Sequence, residues 1–103
     1  MAIALDRYIE TSPDVRGGRP RIADTRLTVA DVVVMYLRLG QSLEEIAVQY
    51  DLPLAAVYAA IAYYYDHQEE IDRSIADDRA FAEAFRNNNP SPLRARLQAL
   101  KRN

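Results

Sequence analysis

In residues 28–40 the apolar side chains fall at Val29, Val32, Val33, Tyr36 and Leu37. That order is i, i+3, i+4, i+7, i+8, one stripe along a helix. Thr28 stands where an N-cap belongs, with Asp31 at the capping-box position, and Gly40 supplies a stop. Ser42 opens a second helix, and Glu45 again sits three residues on. Leu43, Ile46, Ala47 and Tyr50 form its inward face. The sequence "DLP" turns the chain, and Pro53 stands at or just before the first turn of a third helix, where its missing N–H costs nothing. Leu54, Val57, Ile61, Tyr64, Ile71 and Ile75 continue at helical spacing. Unbroken, this third helix would run about 22 residues, roughly 33 Å. Its polar second half, "DHQEEIDRS", would project beyond a small core.

The flanks read differently. "RYIET" is β-favouring, "SPDVRGG" is turn-rich, and "RPRIADTRLT" follows. Two short strands are predicted near residues 7–11 and 20–23, joined through Gly17 and Gly18. A pair this short needs cover from a helix or a second copy, which makes Tyr8, Ile9 and Ile22 candidates for a dimer face. On the C-terminal side, "DDRAFAEAFR" reads as a short helix with Phe81 and Phe85 on one face, and "NNNPSP" as a break. "LRARLQALKRN" has Leu93, Leu97 and Leu100 in one stripe; a helix of this length is marginal alone and calls for a docking surface. The expected fold is mainly α: an N-terminal β-hairpin, a tri-helical helix-turn-helix core, a long third helix and a C-terminal helical arm. Residues 1–76 are expected to form a dimerising and DNA-binding domain, and residues 77–103 a partner-binding arm.

Composition narrows the chemistry. The chain has 103 residues, half of them apolar, and no cysteine. Disulfides, thiolate metal sites and cysteine nucleophiles are therefore excluded. "MAIALDRYIE" meets an aspartate too early for a signal peptide, and no apolar run reaches membrane length, so a cytoplasmic protein is expected. There is no nucleophile–base pair and no phosphate loop, so no enzyme and no cofactor is expected. His67, the only histidine, has Glu70 at i+3, which is half a metal site at most. It reads as a solvated helix histidine.

Charge poses the main question. From Gly40 to Asp72 the chain carries seven acids (Glu44, Glu45, Asp51, Asp66, Glu69, Glu70, Asp72) and no Lys or Arg. Phosphate neutralisation supplies most non-specific affinity for DNA, so this helix-turn-helix lacks the usual means. Its outward candidates are Leu54, Ala55, Ala56, Tyr58 and Ala59, none of which makes a bidentate contact to guanine or adenine. Phosphate contacts would have to come from Arg19, Arg21, Arg26 or Arg38. The alternative for Arg26 is an ion pair with Glu44 or Glu45 that holds the hairpin on the helices. Tyr63, Tyr64 and Tyr65 are consecutive, so they cover most of a helix circumference. They either wrap the core or contribute to a homodimer interface, which their apolar bodies and polar tips suit.

The motif "GGRPRIADTRLTV", the apolar helix to "LG", and "QSLEEIAVQYDLPLAAVYAAIAYYYDHQEEID" resemble domain-of-unknown-function family number 433. Its usual pattern is G-[KR]-P-x-I-x-G-T-R-[ILV]-x-V, then G-x-S-x-E-E-I and a Tyr-rich helix. Gly18, Pro20, Ile22, Thr25, Arg26, Val29, Gly40, Ser42, Glu44, Glu45 and Ile46 carry the match. Asp24 replaces the usual glycine, and aspartate tolerates a positive φ better than most residues. The resemblance implies a VapB-like helix-turn-helix antitoxin that neutralises a PIN-type ribonuclease toxin through its C-terminal segment and represses its own promoter. The tail then gains a role. Phe81, Phe85, Arg86, Leu93, Leu97 and Leu100 would dock on the toxin, while Arg94 or Arg96 reaches its metal-holding carboxylates. A stand-alone transcription regulator and an interaction module that never touches DNA are the alternatives.

Overall fold

The structure, a computed structural model of the chain, describes residues 5–88. Strand β1 (Ile9–Glu10) pairs antiparallel with β2 (Arg21–Ile22), with Ile9 opposite Ile22 and Glu10 opposite Arg21. Both strands are shorter than their β-favouring residues predict. Leu5–Tyr8 form a 3-10 turn instead of extending β1. The second predicted strand divides its hydrogen bonds between two sides. Ala23 N–H donates to Tyr8 O at 2.8 Å, while Ile22 N–H donates to Leu27 O and Val29 N–H to Pro20 O, both at 2.9 Å. The connecting loop turns through left-handed Gly17 and Gly18, at φ 67° and 79°. Asp24, in place of the family's glycine, does adopt a positive φ of 63°.

Helix α1 (Val29–Val33) starts as its sequence predicts. Asp31 N–H donates to Thr28 Oγ1 at 3.0 Å and Thr28 N–H to Asp31 Oδ2 at 3.1 Å, a complete capping box. The helix then widens into a π turn over Val34–Arg38, where Leu39 N–H reaches Val34 O at 3.0 Å, five residues back. The α spacing stops applying there: Met35 is buried, and Leu37, placed in the apolar stripe by that spacing, is exposed. Gly40, at φ 71°, ends the element.

Helix α2 (Leu43–Gln49) is capped by Ser42, whose hydroxyl accepts from Glu45 N–H at 3.0 Å; the Glu45 side chain returns no bond, so this box is half-formed. Asp51 turns at φ 53° and Pro53 occupies the N-cap of α3 (Leu54–Asp66). The third helix does not run to residue 75. It stops at His67, whose backbone leaves the helical range at φ −133°, ψ 40°, and α4 (Gln68–Asn88) begins at once. The reason is burial. A straight continuation would carry Ile71 and Ile75 past the core, whereas the break turns both onto α1, where each is buried. Tyr64 secures the bend by donating its hydroxyl to Asp72 Oδ1 at 2.8 Å. The predicted short helix over residues 77–86 is the second half of α4, so the boundary expected at residue 76 lies inside one continuous helix. Ile22, Val29, Val32, Ile46, Val57 and Ile71 meet at the centre of this three-helix core, with α4 laid along it.

Thr28→Ala removes the hydroxyl that accepts from Asp31 N–H, while the residue-28 N–H still donates to Asp31, and at this buried position is expected to lower the unfolding free energy by about 1 kcal/mol. Urea denaturation measures this, and Thr28→Ser should recover most of the loss.

Candidate functional site

The loop before α1 spends its arginines inward. Arg21 is only 5% exposed. It pairs with Glu10 and donates to Ser12 Oγ at 2.9 Å and to Thr25 O at 3.3 Å. Arg19 grips Asp78 on α4 with both Nη atoms, at 2.5 and 2.6 Å. Arg16 donates to Asp31 Oδ2 at 3.2 Å and to Arg26 O at 2.9 Å. The Arg19 guanidinium holds the Asp78 carboxyl below the usual carboxylate range, and the carboxylate in turn raises Arg19. Glu10 is lowered by its hydrogen bond from Arg21 and then by the Asp24 N–H. Arg19 and Arg21, expected to touch phosphate, are thus committed to the fold. Arg26 and Arg38 remain exposed, without an ion pair among the described residues. The pairing of Arg26 with Glu44 or Glu45 does not form.

The outer face of α2 and α3 presents Glu44, Glu45, Val48, Asp51, Leu54, Ala55 and Tyr58 to solvent. Ala56 and Ala59, expected to point outward, are buried, Ala56 in the core cluster. No cation lies on either helix. The residues that direct readout would use therefore amount to Tyr58 flanked by Leu54 and Ala55.

The three tyrosines separate. Tyr64 is core, held by Asp72, and that hydrogen bond to a carboxylate is the first cause of its raised phenol pKa. Tyr63 is half-buried and stacks on His67 with ring centres 4.0 Å apart, while Tyr65 is exposed. Ile22 is core as well, so Ile22 and Tyr64 leave the set of candidate dimer residues. Tyr8 and Ile9 are half-buried. Ile9, Tyr63 and Tyr65 line a groove of about 580 Å³ with Ala59, Ala62, Asp66 and His67.

On α4, residues 79–88 are all exposed. Phe81 and Phe85 project there at 74% and 57% exposure, with Arg86 one residue on. Leu93, Arg94, Arg96, Leu97 and Leu100 lie outside the described residues. Among the described residues no group of three or more His, Asp or Glu is placed to hold a metal ion, and no described helix is long and apolar enough to cross a membrane.

A family model described as "Protein of unknown function (DUF433)" matches residues 9–64. The crystal structure of a DUF433 member protein from Anabaena variabilis is similar at 37% sequence identity and a TM-score of 0.62, over 70% of this chain and 71% of that one. No curated protein matches.

The lowered carboxyls of Asp78 and Glu10 fix a sign for pH dependence. Their contribution to stability is complete above the usual carboxylate range and is lost as pH falls through the depressed folded values, below about pH 4. Asp78→Asn should cost about 0.5–1 kcal/mol at pH 7, as expected for a bidentate pair with solvent access, and progressively less as the pH falls below the usual carboxylate range. Thermal melts of both proteins from pH 7 to 3 should converge.

Proposed function

The chain belongs to the DUF433 family, and on that premise we propose that it is a cytoplasmic antitoxin, a homodimer that neutralises a metal-dependent PIN-type ribonuclease. The observation that carries this reading is the outer half of α4. Ten consecutive residues, 79–88, are exposed on a helix that nevertheless bears Phe81 at 74% exposure. A helix end that serves only as a surface has no use for a phenylalanine there, whereas an amphipathic helix laid in a partner's groove does. Arg86 on the same helix, with Arg94 and Arg96 beyond it, supplies guanidinium groups suited to a cluster of carboxylates. The ribonuclease's divalent metal would sit on the partner, so this chain needs no metal-binding residues of its own for the role.

The dimer contact follows from the groove beside the hairpin. Ile9, Tyr63 and Tyr65 give it an apolar wall with polar tips, and the two-stranded sheet next to it is too small to stand without cover. Autorepression is the weaker part of the molecule's equipment. With Arg19 and Arg21 tied to carboxylates, only Arg26 and Arg38 of the candidate cations face solvent unpaired, so operator binding requires two copies or the toxin complex to assemble enough positive charge. That same scarcity favours a second reading, an interaction module that leaves DNA alone. Titrating promoter DNA at two salt concentrations separates them: a steep salt slope for the complex supports repression, and its absence supports the module.

The antitoxin reading is tested by capture from the native cell with the full chain, followed by assay of the captured protein on RNA. The expected result is a small metal-dependent ribonuclease that a stoichiometric amount of the chain inhibits. Phe81→Ala with Phe85→Ala, and separately Arg94→Glu with Arg96→Glu, should each weaken inhibition at least tenfold while thermal melts stay unchanged. Capture of no ribonuclease, or inhibition indifferent to both double variants, overturns the reading.

A further inference from the structure

The outer face of the helix-turn-helix is apolar and acidic at the same spot. Val48 is 82% exposed, and Leu54 and Tyr58 stand exposed one turn apart on α3. Below them a shallow concavity of about 430 Å³ is lined by Glu44, Ala47, Val48, Asp51, Leu52 and Leu54. Glu45 lies beside Glu44 on the exposed side of α2. None of Glu44, Glu45 and Asp51 takes part in an ion pair among the described residues. An apolar hollow rimmed by unanswered carboxylates repels phosphate and favours a segment that is both cationic and apolar.

The chain contains one such segment. Residues 93–102 carry Leu93, Leu97 and Leu100 at i, i+4 and i+7, flanked by Arg94, Arg96, Lys101 and Arg102, and no acid occurs after residue 83. We infer that this segment docks on the Glu44, Val48 and Leu54 face of a second copy of the chain. The leucines lie on Val48, Leu52 and Leu54, and the four cations answer Glu44, Glu45 and Asp51. Chain length selects the second copy. The exposed residues 79–88 carry the backbone about 15 Å along α4 away from the core. From residue 88 to residue 93 the chain takes five Cα steps, at most about 17 Å, so a return over about 15 Å to its own face would need a nearly straight connection and leave almost nothing for the turn. A second copy sets no such limit. The contact stands whether or not the segment also engages a ribonuclease.

The absence of native cysteine permits a direct test. Full-length Val48→Cys and a size-tagged full-length Leu97→Cys are mixed under mild oxidation, and the rate of the mixed disulfide is compared with that of Thr11→Cys, at an exposed site off this face, with the same Leu97→Cys. The Val48 pair is expected to close at least tenfold faster. Glu44→Lys with Glu45→Lys on the first chain should bring the rate down to the control, Arg94→Glu with Arg96→Glu on the second should do the same, and both together should restore it. Thermal melts of each variant confirm that the fold is kept. A rate equal to the control, a rate unmoved by either charge reversal, or a disulfide that closes only within a chain carrying both cysteines would overturn the inference.

Discussion

Ile71 and Ile75 can reach the core only because one helix stops and another starts at His67. Everything C-terminal to that residue takes its direction from the bend. The Tyr64 hydroxyl fixes it by donating to Asp72 across the break, and the His67 ring stacks on Tyr63 at the same place. Without the bend, two isoleucines would enter water, at about 1.5–3 kcal/mol each. With it, α4 lies along α1, and Asp78 comes within reach of Arg19, 59 residues earlier in the chain. The loop before α1 is then held from two sides, by Arg16 on Asp31 and by Arg19 on Asp78.

This arrangement redistributes the charge that the sequence displays. Five arginines between residues 7 and 26 look like a basic surface. Three of them, Arg16, Arg19 and Arg21, answer carboxylates of the same chain, and Arg7 lies over the ring of Tyr8 at 4.6 Å. The acids of α2 and the following turn receive no such answer. A net charge of −2 therefore hides a molecule whose cations near the N-terminus are largely paired within the chain and whose helix-turn-helix is negative on the outside. The helix-turn-helix arrangement thus presents carboxylates and apolar side chains on its outer face, and no cation.

Local signals carried most of the fold. Thr28 with Asp31, Gly40 and Ser42 mark their helix ends correctly because caps depend on residues only three or four apart. Asp24 was readable too, since its departure from glycine pointed at a left-handed backbone that it does adopt. The stop at His67 carries no proline or glycine, so periodicity ran straight through it; the two isoleucines beyond a polar run were the clue, and their need for burial is a tertiary fact. The pairing of Arg19 with Asp78 leaves no trace in local pattern, which is why both Arg19 and Arg21 read as available. Ala56 and Ala59 looked outward for a similar reason. Alanine is indifferent to burial, and only the approach of neighbouring elements decides which face of α3 is covered. The family motif was legible over about residues 8–72, against 9–64 for the family model, but its role is not encoded in the motif residues, most of which build the hairpin, the caps and the core.

Mechanically, α4 is a lever. Its inner arm, residues 68–78, is about 16 Å long and pinned by Ile71 and Ile75; its outer arm, residues 79–88, is about 15 Å long and stands in solvent. The fulcrum is Asp78, and what it rests on is the guanidinium of Arg19. Arms of nearly equal length transmit displacement without reducing it, so a load that swings the outer arm meets its first resistance at that ion pair. Arg19 stands between Gly18 and Pro20, so the outer arm leaves the core at the loop that leads into β2.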